Sequence, residues 1–86
     1  MAEYRITIKK SAVKELEDIP RKDLQKVINH IRSLVKDPRP RGSQKLSGQE
    51  RYRIRQGNYR IVYYIEDKDL LIVIVKIGHR REVCRS

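Results

Sequence analysis

Arg51, Arg53 and Arg55 alternate with Tyr52, Ile54 and Gln56, and Arg60 follows just beyond Gly57-Asn58. A period of two places the alternating arginines on one face of a strand. With Gly57-Asn58 as a hairpin turn, Gln56 pairs with Tyr59, Arg55 with Arg60, Ile54 with Ile61 and Arg53 with Val62. That register gathers Arg51, Arg53, Arg55 and Arg60 on one face and leaves Tyr52, Ile54, Ile61, Tyr63 and Ile65 on the other. An arginine-alternating strand is, by itself, the ordinary solvated face of a half-buried sheet. Convergence across a hairpin is less ordinary, because like charges directly opposite, as at Arg55 and Arg60, are disfavoured by roughly 0.2–1 kcal/mol. A bound anion relieves that repulsion.

The chemistry such a face suits is phosphate recognition and RNA scission. When a ribose 2′-hydroxyl attacks its own 3′-phosphate, charge builds on the equatorial phosphoryl oxygens, and forked guanidiniums stabilise it without a metal. Arginine is a poor base, since its pKa lies above about 12. His79, directly after the last apolar run, is the candidate for proton transfer, with Glu82 and Cys84 behind it. If Asp67 to Asp69 forms a loop, the following strand sets Lys76 opposite Arg60 on the same face. Tyr64 falls on the arginine face, where it can stack on a base; Tyr4, Tyr52, Tyr59 and Tyr63 read as core or interface aromatics.

Composition agrees with a polyanion partner. The 86 residues carry 21 Lys and Arg against 11 Asp and Glu, a net charge of +10. Residues 1–38 hold 9 basic and 6 acidic side chains and residues 39–86 hold 12 and 5, so the second half carries more of the charge. A single cysteine excludes an internal disulfide and a cysteine-based zinc site, and with only two histidines metal binding is not expected. No stretch approaches the roughly 20 apolar residues that span a bilayer, and the start, Met1-Ala2-Glu3-Tyr4-Arg5, lacks an apolar signal core. The expectation is one soluble, unprocessed cytoplasmic domain over 1–86, without metal or small-molecule cofactor and with no membrane association.

Several elements must position the arginines. Tyr4, Ile6 and Ile8 alternate with Arg5 and Thr7 as a half-buried strand. Ser11 can cap a helix carrying Val13, Leu16 and Ile19 at helical spacing. Pro20 suits the first turn of a second helix, in which Leu24, Val27, Ile28, Ile31, Leu34 and Val35 follow the i, i+3, i+4 rule. Asp37-Pro38 stops it, and Pro40 and Gly42 keep the chain in a loop to about Gly48. Strands are predicted over 51–56, 59–66 and 70–77, the last apolar from Leu70 to Val75 and therefore central. The order β-α-α-β-β-β gives an α+β fold with a helical hairpin packed on one face of a small, mainly antiparallel sheet.

The run Tyr52-Arg53-Ile54-Arg55-Gln56-Gly57-Asn58-Tyr59-Arg60-Ile61-Val62-Tyr63 resembles the central signature of the RelE/ParE toxin superfamily. So do the Lys45-Leu46-Ser47-Gly48 segment and the ending Gly78-His79-Arg80-Arg81-Glu82-Val83-Cys84. The resemblance implies a RelE-like fold and the toxin of a type II toxin–antitoxin system. It further implies a messenger-RNA endoribonuclease acting in the A site of the 70S ribosome, against small-subunit ribosomal RNA. A cognate acidic RelB-type antitoxin would hold it inactive. By motif position Arg53, Arg55 and Arg60 match the family's basic residues. Arg80 matches the arginine after the last strand, with Arg81 as the alternative. Lys45, Arg51, Tyr64, Lys76 and Arg81 complete the expected RNA-binding set. At Cys84 many relatives carry a tyrosine that stacks on the substrate base and assists proton transfer; a cysteine cannot stack, and the resemblance would then shift the acid-base role to His79.

Two other functions fit the same resemblance. A ParE-like toxin shares the fold but inhibits DNA gyrase, and a ribosome- or RNA-binding module would use the arginine face without cutting. The arginine stripe favours the nuclease, because gyrase inhibition needs no phosphate-stabilising cluster on the sheet.

Overall fold

A computed structural model describes residues 3–46 and 50–79. Strand β1 (Arg5–Ile8) leads directly into helix α1 (Lys10–Glu17), and helix α2 (Arg21–Ser33) follows. Strands β2 (Gln44–Lys45), β3 (Arg51–Gln56), β4 (Tyr59–Glu66) and β5 (Leu71–His79) complete the chain. They form one sheet in the order β1-β5-β4-β3-β2, antiparallel except where β1 runs parallel to β5. The predicted α+β arrangement is therefore present, with β5 in the interior of the sheet.

The two helices cover one face. Ala12, Leu16 and Ile19 from the first helical segment, and Val27, Ile31 and Leu34 from the second, pack on Ile54, Ile61, Tyr63, Ile72, Ile74 and Ile77. Each fully buried aliphatic side chain contributes about 1.5–3 kcal/mol relative to exposure. On α1 the buried line runs through Ala12 rather than Val13, which is 40% exposed. Ser11 lies inside the helix, and Lys9 takes the cap position with no side-chain cap bond. The entry is fixed instead by the sheet: the Lys9 amide donates to the Ile74 carbonyl at 3.0 Å. Where β1 ends, Glu15 takes over at the open edge of β5, its Oε1 accepting from the Ile77 amide at 2.9 Å.

The segment after α2 is tied down on one side by aromatic and charged groups. Tyr63 is fully buried beneath it and donates its hydroxyl to the Pro38 carbonyl at 2.8 Å. Arg39 meets Asp67 at 2.9 Å, donates from Nε to the Tyr52 hydroxyl at 3.1 Å and lies 5.3 Å from the centre of the Tyr52 ring. Tyr4 donates to the same Asp67 carboxylate at 2.9 Å. These contacts join the N-terminal strand, the post-helix segment and the β4–β5 turn.

Two expectations for this part of the chain are corrected. The stretch expected to remain a loop to Gly48 contains β2, whose pairing with β3 sets Gln44 against Arg53 and Lys45 against Tyr52. The last strand is Leu71–His79 and not 70–77, because Leu70 belongs to the turn, at φ 51. A leucine there carries about 1–2 kcal/mol of strain. The Leu70 carbonyl accepts from the Arg5 amide at 2.7 Å, a bond that holds the conformation in place.

Candidate phosphate-binding face

The β3–β4 hairpin turns on Gly57, whose φ of +59 is the left-handed value this position requires. The observed pairs are Arg51 with Tyr64, Arg53 with Val62, Ile54 with Ile61, Arg55 with Arg60 and Gln56 with Tyr59. Ile54 and Ile61 lie in the helix-side core, so Arg51, Arg53, Arg55 and Arg60 share the face opposite α1 and α2. That face has its own apolar floor of Val62, Val73 and Val75, bordered by Leu46, Tyr64 and Leu71.

The four arginines differ in environment. Arg51 and Arg55 are exposed and Arg53 is half-buried. Arg60 is only 9% exposed, and its Nε is buried with no hydrogen-bond partner among the described residues. An unpaired buried guanidinium nitrogen is costly, and an anion is its natural complement. Beside these residues Gly42, Gln44, Arg53 and Arg55 line a cavity of about 250 Å³. Arg53 donates from Nη2 to Gln44 Oε1 across the β2–β3 pair. Two forked cations and a neutral amide around one small cavity suit a phosphoryl group, whose oxygens accept from several directions.

The structure does not bring all the expected residues to this face. Lys76 was expected opposite Arg60, but the β4–β5 turn is one residue longer than expected, and a register shift follows between Val62 and Tyr63. Lys76 therefore pairs with Val62 and Arg60 with Gly78, so Lys76 keeps the register of the arginine face one same-face pair along from Arg60, while its ammonium meets Glu15 at 3.5 Å. Lys45 pairs with the helix-side Tyr52 and lies 3.7 Å from Glu50, an exposed pair of little energetic weight. Its register is thus opposite in face to that of Gln44. His79 pairs with Tyr59 and meets that ring edge-on at 5.5 Å, in a cleft of about 310 Å³ lined also by Glu15, Asp18, Ile19 and Ile77. Tyr59 packs against the helix-side core, so the thickness of the sheet separates His79 from the arginines. Tyr64 does lie on the arginine face, against the apolar floor. Arg80, Arg81, Glu82 and Cys84 lie outside the described residues.

Gln44 and Gly42 were not anticipated. A strand of two residues carries too little alternation to be recognised from sequence, and the only signal for it was the spacing back from Arg53.

The profile of a family described as "ParE toxin of type II toxin-antitoxin system, parDE" matches residues 6–84. The chain belongs to the RelE/ParE toxin superfamily. Within it, RelE1 of Methanocaldococcus jannaschii is 32% identical over 81 residues, covering 90% of each chain. Among solved structures, a chain of the archaeal RelE–RelB complex from Pyrococcus horikoshii OT3 superposes with a TM-score of 0.81 at 34% identity, over 90% of this chain and 94% of that one. A chain of the RelBE2 toxin–antitoxin complex from Mycobacterium tuberculosis gives 0.81 at 26% identity, over 92% and 100%. The RelE-like arrangement of helical hairpin on sheet is thus common to all three, and the chain is a toxin of type II toxin–antitoxin systems. Among the described residues no helix is long and apolar enough to cross a membrane, and no group of three or more His, Cys, Asp or Glu is placed to hold a metal.

Proposed function

We propose that this toxin is a ribosome-dependent endoribonuclease that cuts messenger RNA in the A site without a metal. The observation that carries the reading is Arg60, buried directly opposite Arg55 with an Nε that has no hydrogen-bond partner among the described residues. Holding a guanidinium so costs stability, and the cost is understandable if a phosphoryl group completes the site. In the reaction the ribose 2′-oxygen forms a bond to the adjacent phosphorus while the bond to the 5′-oxygen breaks. The 2′-hydroxyl gives up its proton to a base, the leaving 5′-oxygen takes one from an acid, and the products are a 2′,3′-cyclic phosphate and a 5′-hydroxyl. Arg53, Arg55 and Arg60 stabilise the phosphoryl oxygens, with Arg80 or Arg81 joining them from the C-terminal motif. Arg51 and Tyr64 extend the face along the RNA, Tyr64 by stacking.

Proton transfer falls to groups other than the arginines. His79 belongs to the C-terminal motif, yet its place behind the sheet argues against direct contact with a phosphate on the arginine face. Primer extension on programmed ribosomes tests the reading: cuts within A-site codons support it.

The family description supplies a second reading, inhibition of DNA gyrase, for which the expected result is altered supercoiling with intact messenger RNA. The RelE relatives and the arginine face favour the nuclease. Binding without cleavage would indicate a non-catalytic ribosome-binding module. In the nuclease reading the partner is a cognate acidic antitoxin of the RelB type, a reading supported by the relative solved in a RelE–RelB complex. A net charge of +10 favours rapid association with an acidic chain.

A further inference from the structure

Arg53 and Gln44 form a pair whose partner choice is informative. Gln44 sits opposite Arg53 in the β2–β3 ladder, and its Oε1 accepts from Arg53 Nη2. Both line the small cavity with Arg55 and Gly42. The strand that carries Gln44 is anchored on both sides: the Ser43 amide and hydroxyl donate to the Pro40 carbonyl at 2.9 and 2.8 Å, and the Leu46 amide donates to the Arg51 carbonyl at 2.8 Å. Gln44 is therefore presented to Arg53 from a fixed backbone. A carboxylate in its place would orient the guanidinium but also neutralise it, in competition with any phosphate. An amide oxygen orients it and leaves its charge intact.

We propose that Gln44 is a positioning residue that aims Arg53 at an RNA phosphate held between Arg53 and Arg55. The inference rests on the phosphate reading of this face and deepens it. Gln44 is uncharged, so it influences the ionic part of RNA binding only through Arg53. That separates it from a residue that merely supports the fold.

The test uses the full chain and a short single-stranded RNA blocked from cleavage by 2′-O-methyl groups, with affinity measured across a salt series. Gln44→Leu is expected to weaken binding about fivefold, on the scale of direct pairwise couplings. It is also expected to flatten the slope of log affinity against log salt by about 0.7, the share of one phosphate contact on a single strand. Arg53→Ala should flatten the slope equally, and adding Gln44→Leu to it should change nothing further. Gln44→Ala serves as a second variant, and an unchanged melting temperature in either excludes a folding effect. An unaltered salt slope, or an equal loss with Arg53 present and absent, would overturn the proposal. Cleavage by the parent chain on programmed ribosomes is scored separately, so failure of the nuclease reading is distinguishable from failure of the Gln44–Arg53 coupling.

Discussion

Arg55 stands directly opposite Arg60 across the β3–β4 hairpin, and Arg60 is the one charged residue that the described chain buries. Two like charges in register, one of them desolvated, oppose folding. An anion bound against the pair would offset that repulsion.

Stability and activity should therefore separate at Arg60. Arg60→Met keeps the length of the side chain and removes the unpartnered Nε, so it is expected to stabilise the toxin by about 1–3 kcal/mol, the usual cost of an unsatisfied buried polar group. Loss of a preorganised oxyanion donor should lower cleavage by about 10²–10³-fold. Thermal melting beside a ribosome cleavage assay checks both. A destabilised Arg60→Met protein would mean that the guanidinium has a partner in the folded chain.

His79 gives the opposite expectation. Because it lies against Tyr59 on the helix side, His79→Ala should retain cleavage within a few-fold of the parent, whereas Arg55→Ala should fall by about 10²-fold or more. Single-turnover rates on programmed ribosomes compare the two. Equal losses would place His79 in the reaction after all.

Tyr63 links the core to the post-helix segment. Burial pushes its hydroxyl pKa up to about 12. The folded state thus favours the neutral phenol, and the associated stability is intact below the unfolded value of about 10 and is lost as pH rises toward the folded value. Tyr63→Phe loses the bond to the Pro38 carbonyl, at a cost of about 0.5–1.5 kcal/mol near neutral pH. It should also remove part of the alkaline sensitivity seen in denaturant titrations at high pH.

Asp67 acts at the other end of the pH scale. Its hydrogen bonds from Arg39 and then Tyr4 hold its carboxyl below the usual range. The stabilisation is therefore present above the unfolded pKa of about 3.9 and fades as pH falls through the lower folded value. Asp67→Asn should lessen the acid dependence of melting over that window, with a small effect at neutral pH because the group is exposed and screened by salt.

The sequence disclosed the hairpin almost completely, since Gly57-Asn58 pins a register that strict alternation on both sides then carries to Arg51 and Tyr64. It disclosed α2 through its apolar spacing, and the interior place of β5 through an unbroken apolar run. Lys76 lies on the face expected of it but opposite Val62 rather than Arg60, because a longer turn and an added residue in β5 leave no mark in an apolar run where every register looks acceptable. For His79 the sequence names a candidate but no face, since a place in the motif says nothing about which side of the sheet receives the ring. Arg60 was recognised as a member of the stripe, but its burial depends on neighbouring strands, which local alternation does not report.

Primer extension on messenger RNA in programmed ribosomes tests the central claim most directly, with the parent toxin, Arg55→Ala and Arg60→Met compared at equal concentration. The expected result is A-site cuts by the parent and none above background by either variant, while both variants remain folded. Intact messenger RNA with the parent, or undiminished cutting by both variants, would contradict the assignment of the arginine face as the site of RNA cleavage.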